Sequence, residues 1–403
     1  MSPAAEHADA PQLDLDSLLD QPGTEIVVCC GAGGVGKTTA SAALALRAAE
    51  RGRKVVVLTI DPARRLAQAM GIERLDNTPR PVPGVDRSGG GSLDAMMLDM
   101  KRTFDEVVEG QANPEKAAQI LANPFYQALS SSFAGTQEYM AMEKLGQLHQ
   151  DARRTGRWDL IVVDTPPSRS ALDFLDAPER LSSFLDGRFI RLLLAPAKGP
   201  ARLMTAGLGV VTNALTKILG AQVLRDMQTF VAAFDTLFGG FRARAQKTYQ
   251  LLQAPGTAFL VVAAPEPDAL REAAYFVERL REDAMPLAGL VVNRAHPLAA
   301  PDLSVEQATA AAERLEQAEG DDEEARESEA DRLDGRTPTA GLLRLHADRA
   351  RVVARESRLR QRFVAAHPQV PTVVVRALAT DVHDLDGLRR VGALLGQAET
   401  SAS

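Results

Sequence analysis

The chain has 403 residues, of which 45% are hydrophobic and 25% are charged, and its formal net charge is -7. This composition is typical of a water-soluble globular protein, and the acidic balance argues against a protein that coats nucleic acid. The most apolar stretch, Leu203 to Leu224, is interrupted by Lys217, whereas a membrane-spanning helix needs about 18 or more uncharged apolar residues. We therefore expect a cytoplasmic protein with no transmembrane segment and no nucleic-acid partner.

The N-terminal 21 residues are acidic and contain Pro3 and Pro11. They lack the basic start and the apolar run of an export signal. We expect residues 1–21 to form a disordered tail, and residues 22–403 to form a single domain.

Short runs rich in Val, Ile and Leu recur along the chain between helical stretches. They alternate poorly between apolar and polar residues, which is typical of strands that are buried on both faces. The pattern predicts an α/β fold with a doubly wound, mostly parallel sheet. The runs are Ile26–Cys30, Val55–Ile60, Ala95–Leu98, Leu160–Val163, Phe259–Ala263, Leu287–Val292 and Val370–Val375.

Two longer stretches between these runs have helical patterns, and we expect them to be helical insertions at about 101–154 and 178–253. A segment at about 313–334 is crowded with acidic residues and predicts a solvated helix end or loop. A further helical pattern from Arg344 to Phe363 can return the chain to the last strand.

The segment from Gly31 to Thr38 fits the pattern G-x-x-x-x-G-K-[ST] and stands between the first apolar run and an Ala-rich helical stretch, Thr39–Glu50. Its glycines let backbone amides crowd around phosphate oxygens at the positive end of a helix dipole. Lys37 is expected to neutralise the β- and γ-phosphates of ATP, and the Thr38 hydroxyl to ligate Mg²⁺. The predicted nucleotide-binding residues are Gly31, Ala32, Gly33, Gly34, Val35, Gly36, Lys37, Thr38 and Thr39.

Two aspartates follow strand runs, at the edge where open α/β sheets bind their ligands. Asp61 ends the second run and Asp164 ends the fourth. Either residue could instead be a helix N-cap. Beside a phosphate loop, we expect Asp164 to hold Mg²⁺ through water and Asp61 to orient the attacking water or accept its proton. The predicted catalytic set is Lys37, Asp61 and Asp164, and the predicted metal set is Thr38, Asp61 and Asp164.

In five segments the sequence resembles the arsenite-transporting and guided-entry ATPase family, within the deviant-Walker group. The resemblance implies an ATP-driven dimer whose two aspartate segments are switch loops, and it implies that Asn293 contacts the adenine base. The segments are Gly31–Thr39, Asp61–Leu66, Asp164–Ser168, Val291–Asn293 and Arg376–Leu388.

The chain departs from the family at Ala32, where relatives carry a signature lysine that reaches the partner's phosphate site. We therefore expect slow hydrolysis by a homodimer and faster turnover in a heterodimer with a lysine-bearing paralogue. In a competing possibility, Arg64, Arg65 or Arg169 replaces the missing charge. The apolar stretch from Leu181 to Phe241 corresponds to the family's groove for a hydrophobic client, but packed helices would also explain it.

Three functions remain open at this point. The first is a Mg²⁺-dependent ATPase that hydrolyses ATP to ADP and phosphate to drive a dimer switch. The second is a weakly catalytic nucleotide-binding regulatory subunit, which Ala32 favours and Asp61 disfavours. The third is a partition-type ATPase on DNA or a membrane, against which the acidic balance and the lack of a basic terminal helix count.

Overall fold

The computed structural model describes residues 11–61, 65–124, 126–127, 136–166, 240, 243–323 and 336–397. Arg64, Arg169 and most of the expected insertion at 178–253 lie outside these residues, as does the end of the acidic segment at 313–334. The N-terminal half of that acidic segment falls on a helix that ends at Glu323.

Within the described residues, eight strands form one sheet in the order β3-β4-β2-β5-β1-β6-β7-β8. All neighbouring strands run parallel except β3 and β4. The structure therefore confirms the mostly parallel α/β fold, and each apolar run of the sequence falls on a strand. The strands are β1 Ile26–Cys30, β2 Lys54–Thr59, β3 Arg80–Pro81, β4 Ser92–Met97, β5 Leu160–Asp164, β6 Thr257–Ala263, β7 Leu287–Ala295 and β8 Thr372–Arg376.

Helices connect the strands and cover both faces of the sheet. The described part of the stretch expected as an insertion at 101–154 includes three of them, and the helical pattern at 344–363 lies inside one long helix. The helices are α1 Leu15–Asp20, α2 Lys37–Glu50, α3 Arg65–Ala69, α4 Met100–Gln111, α5 Pro114–Leu121, α6 Thr136–Thr155, α7 243–253, α8 Pro267–Glu282, α9 Val305–Glu323, α10 Arg336–Ala366 and α11 Leu385–Gly396.

The central strand β1 shows how the sheet joins two cores. Successive side chains of a strand point to opposite faces, so Ile26 and Val28 enter one hydrophobic cluster while Val27 and Cys29 enter the other. Helices α4 to α8 contribute to the first cluster, and α1, α2, α3 and α11 contribute to the second. Both faces of β1 are covered, which explains why its sequence is apolar without alternation.

The expectation of a disordered tail over residues 1–21 is wrong for residues 11–21. Leu15 and Leu19 are 1% and 0% exposed, and their spacing places them on one face of α1. The main-chain amide of Leu13 donates to the carbonyl of Thr372 at 3.2 Å, which joins this segment to β8. Arg53 donates to the carbonyl of Leu19 at 2.6 Å at the end of the same helix. Residues 1–10 lie outside the described part of the chain.

None of the described helices combines the length and the hydropathy that crossing a bilayer requires.

Candidate functional site

The loop between β1 and α2 has the backbone of a phosphate-binding loop. Gly36 is the N-cap of α2 and has φ 90°, a left-handed conformation that glycine adopts without strain. No side chain caps this end of the helix, so the first amides of α2 are not satisfied by a capping group. Free amides at a helix N-terminus favour an anion.

Lys37 begins α2 and is only 5% exposed. Its ammonium group donates a hydrogen bond of 2.6 Å to the carbonyl of Ala32, across the loop. Burial lowers the pKa of Lys37, while the negative charges of Asp164 and Asp61 act in the opposite direction. The charges of the three predicted catalytic residues, Lys37, Asp61 and Asp164, therefore act on one another.

Asp164 ends β5 and has no exposed surface. Burial raises the pKa of its carboxyl group to about 6, against the lowering effects of hydrogen bonds from Thr59 and Thr38 and of the Lys37 charge. Oδ2 accepts the Thr59 hydroxyl at 2.9 Å. Oδ1 is buried and has no hydrogen-bond partner within the residues that the structure describes. A buried carboxylate oxygen without a donor is costly, and it fits a role in holding a magnesium-bound water.

Asp61 follows β2 and is 7% exposed. Its main-chain amide donates to the Thr59 hydroxyl oxygen at 3.2 Å. Thr59 thus contacts both aspartates, and this role was not predicted from the sequence. A threonine in an otherwise aliphatic strand, two residues before the aspartate, was the available signal.

The carboxyl end of β7 contacts the phosphate loop directly. The side-chain amide of Asn293 donates to the carbonyl of Val35 at 2.8 Å, and the guanidinium of Arg294 donates to the carbonyl of Gly34 at 2.9 Å. The contact of Asn293 with adenine remains a prediction. Arg294 was missed, although it directly follows an asparagine that the resemblance had marked.

Among the arginines proposed to replace the missing lysine charge, Arg65 is described, at the start of α3. Burial is the main cause that lowers the pKa of Lys37, and the positive charge of Arg65 adds a smaller lowering effect. Ala32 itself is 8% exposed and offers only a methyl group.

Cys29 and Cys30 end β1 beside the loop and are fully buried. Burial raises the pKa of Cys29 to about 12 and also raises the pKa of Cys30, so both stay neutral thiols. The described residues contain no group of three or more His, Cys, Asp or Glu side chains that could hold a metal ion. Mg²⁺ at a phosphate loop needs no such group, because it keeps several waters and binds substrate phosphates.

Comparison with known proteins agrees with this geometry. The model of the family described as "Anion-transporting ATPase" matches residues 24–318. The "ATPase get3" of Schizosaccharomyces pombe is 27% identical over 285 residues, which cover 70% of this chain and 76% of the relative.

Two further relatives match over shorter segments. The "ATPase GET3" of Malassezia globosa is 31% identical over 177 residues, which cover 44% of this chain and 49% of the relative. The "Arsenical pump-driving ATPase" of Acidiphilium multivorum is 31% identical over 158 residues, which cover 39% of this chain and 26% of the relative. The chain therefore aligns with about half the length of the first of these two and with a smaller part of the second. Because the family model extends over most of the sequence and includes the phosphate loop and both strand-end aspartates, the chain belongs to the anion-transporting ATPase family.

Proposed function

We propose that this chain binds ATP with Mg²⁺ on the loop from Gly31 to Thr38 and hydrolyses it to ADP and phosphate. The observation that carries the proposal is the buried carboxylate of Asp164. Its Oδ1 has no hydrogen-bond partner among the described residues, and its charge interacts with the charge of Lys37. Buried ionisable groups with shifted pKa values cluster at functional sites.

In this proposal the amides of the loop and the ammonium group of Lys37 hold the β- and γ-phosphates. Thr38, Asp61 and Asp164 surround the position of Mg²⁺, with Asp164 acting through water. When bound, Mg²⁺ neutralises charge on the transferred phosphoryl group. Asp61 orients the attacking water and accepts its proton.

We further propose that the nucleotide cycle drives a conformational switch of a dimer. Asp61 and Asp164 stand at the carboxyl edge of the sheet, and the resemblance implies that they belong to switch loops, whose contacts with the γ-phosphate are lost on hydrolysis. The named relatives support an ATPase activity, and the dimer is an inference from the resemblance.

Because Ala32 has a methyl group where relatives carry a lysine, we expect slow ATP turnover. A cation supplied in trans to a phosphoryl-transfer site is worth about 10³–10⁵ in turnover. We propose that a homodimer of this chain is slow and that a lysine-bearing paralogue accelerates it. Arg65, which is exposed at the start of α3, is the competing source of charge within the described residues.

The central experiment measures ATP binding by calorimetry and phosphate release by steady-state kinetics. Lys37→Ala should abolish magnesium-dependent ATP binding, whereas the control Lys54→Ala should bind normally, since Lys54 is exposed at the opposite end of the sheet. Equal binding by Lys37→Ala and the unmodified protein would refute the proposal.

A second candidate, a regulatory subunit that binds ATP without hydrolysing it, is favoured by Ala32. Asp61→Asn separates the two functions. In an enzyme the substitution should remove turnover and leave ATP affinity within about threefold, because the base acts in the transition state. If the unmodified protein, alone and with a lysine-bearing paralogue, releases no more phosphate than Asp61→Asn, the regulatory function is correct.

The source of the missing charge is tested with Arg65→Ala. If Arg65 replaces the signature lysine, turnover of the isolated chain should fall about 10³-fold or more. If the paralogue supplies the charge, the isolated Arg65→Ala protein should keep its slow rate and respond to the paralogue as the unmodified protein does. If turnover is fast and neither the paralogue nor Arg65→Ala changes it, then neither of them supplies the missing positive charge.

A further inference from the structure

Arg294 and Asn293 make a pair of contacts with successive carbonyl groups of the phosphate loop. Arg294 holds Gly34 and Asn293 holds Val35, at 2.9 and 2.8 Å. We propose that these two residues are positioning residues, which hold the loop with its amides turned toward the phosphates. The inference rests on the proposed function. It adds two residues that promote phosphate binding independently of which nucleotide base the ligand carries.

Peptide geometry determines which way the amides of the loop point. In a trans peptide, the C=O group and the N–H group of the next residue point in opposite directions, and the described chain contains no cis peptide. Holding the carbonyls of Gly34 and Val35 against β7 therefore turns the amides of Val35 and Gly36 away from β7. Within the part of the chain that the structure describes, neither amide donates to a protein acceptor. They are left oriented for an anion.

The end of β7 is built irregularly where these two side chains leave it. The pairing with β8 shifts between Val292 and Ala295, with one extra residue on β7. Such a β-bulge redirects side chains and is frequent beside active sites. Arg294 lies inside it with φ 63°, a left-handed conformation that disfavours an arginine. The fold accepts this strain at the residue that contacts the phosphate loop, which is typical of functional positions.

Packing against Gly36 supports the same role for Asn293. A Cβ atom at position 36 would lie 2.3 Å from Nδ2 of Asn293, so the loop and the amide are in direct contact. Asn293 is half-buried there, whereas Arg294 is exposed. Because Asn293 is fixed against the main chain of the loop, we expect it to affect the binding of every phosphate ligand. Recognition of the base alone does not require this contact.

The experiment uses inorganic tripolyphosphate with Mg²⁺, which has no base or ribose, alongside ATP and GTP, with affinities measured by calorimetry. Arg294→Gly removes the guanidinium and also relieves the backbone strain. We expect tripolyphosphate and ATP to bind about 3- to 10-fold more weakly, since the lost contact is charge-assisted but exposed. Arg294→Lys should retain part of the affinity, because it keeps the positive charge.

Ala284→Gly is the matched control for Arg294→Gly. Ala284 is the other non-glycine residue with positive φ in the described chain, at 53° in the turn after α8. Its substitution should change thermal stability through the backbone alone and leave all three affinities unchanged. If Ala284→Gly weakens tripolyphosphate binding as much as Arg294→Gly does, the effect is structural and the proposal fails.

Asn293→Ala decides between the two roles of Asn293. Weaker binding of tripolyphosphate, ATP and GTP alike supports positioning. Weaker ATP binding with unchanged tripolyphosphate binding would show base recognition and overturn the proposal for Asn293. If the unmodified protein binds no phosphate ligand, the proposed function fails. If it binds and Arg294→Gly binds equally well, only this inference fails.

Discussion

The hydroxyl group of Thr59 donates a hydrogen bond of 2.9 Å to Oδ2 of Asp164 and joins β2 to β5 at the carboxyl edge of the sheet. The hydroxyl oxygen of Thr59 also accepts the main-chain amide of Asp61 at 3.2 Å. Thr59 is 1% exposed, so water does not replace either contact. One buried hydroxyl therefore fixes the relative position of the two aspartates that the proposed chemistry needs.

Thr59→Val should impair hydrolysis more than it impairs folding. The two side chains have nearly the same shape, but valine removes the Thr59 hydrogen bond to the buried Oδ2 of Asp164, at a cost of about 1–3 kcal/mol. We expect ATP turnover to fall about tenfold or more, while Thr59→Ser, which keeps the hydroxyl, stays close to the unmodified rate. Phosphate release at saturating ATP and urea unfolding measure the two effects. Full turnover by Thr59→Val would show that the hydroxyl does not position the aspartates.

Asp164→Asn should stabilise the protein without nucleotide and metal at neutral pH. Burial raises the pKa of Asp164 from 3.8 to about 6 in the folded state. Between these values the folded protein binds more protons than the unfolded chain, so stability falls as pH rises from about 4 to 6 and stays lower above that. The shift corresponds to about 3 kcal/mol.

The measurement is urea unfolding of both proteins in EDTA from pH 4 to pH 8. The free energy of unfolding of the variant minus that of the unmodified protein should increase with pH by about 3 kcal/mol. The difference should level off above about pH 6 to 7. The side-chain oxygen of asparagine can still accept the Thr59 hydroxyl, which keeps the comparison close. A difference that does not change with pH would mean that Asp164 is not the group that titrates.

The sequence was sufficient to predict β1, because an uninterrupted apolar run between Glu25 and Gly31 fits a strand buried on both faces. It was insufficient for β3, whose two residues, Arg80 and Pro81, have no strand pattern of their own and are ordered by antiparallel pairing with β4. Local pattern specifies a buried strand, whereas pairing with a distant partner specifies an edge strand.

The candidate site shows the same division. Lys37 was predictable because the phosphate-loop motif is local, and the structure places its ammonium group within the loop. The contact of Arg294 with Gly34 depends on a bulge that appears only when β7 pairs with β8. The bridge from Thr59 to Asp164 likewise joins residues that are 105 positions apart in the chain. Both contacts depend on strand pairing, which the local sequence around Thr59 and Arg294 does not specify.

Gly36→Ala should abolish phosphate binding. The new Cβ atom would lie 2.3 Å from Nδ2 of Asn293, and φ at this residue is 90°, which strains any residue with a side chain. In Gly36→Ala/Asn293→Ala the steric conflict is removed and the backbone strain remains, so the double variant should recover part of the lost stability. Gly110→Ala is the control, since Gly110 lies in α4 with nothing within 4 Å of an added Cβ. It should be neutral or slightly stabilising. Normal tripolyphosphate binding by Gly36→Ala would contradict the described loop geometry.

Leu19→Ala tests whether the segment before β1 is an integral part of the fold. The Leu19 side chain has no exposed surface and belongs to the same core cluster as α2 and α11. Removing three buried carbon atoms should lower the free energy of unfolding by about 2–5 kcal/mol. Leu342→Ala is the matched control, because the same substitution at a residue that is 66% exposed should cost less than about 0.5 kcal/mol. Urea unfolding followed by circular dichroism measures both. If the segment were a detached tail, the two substitutions would have equally small effects, and the packing of α1 against α2 and α11 would be wrong.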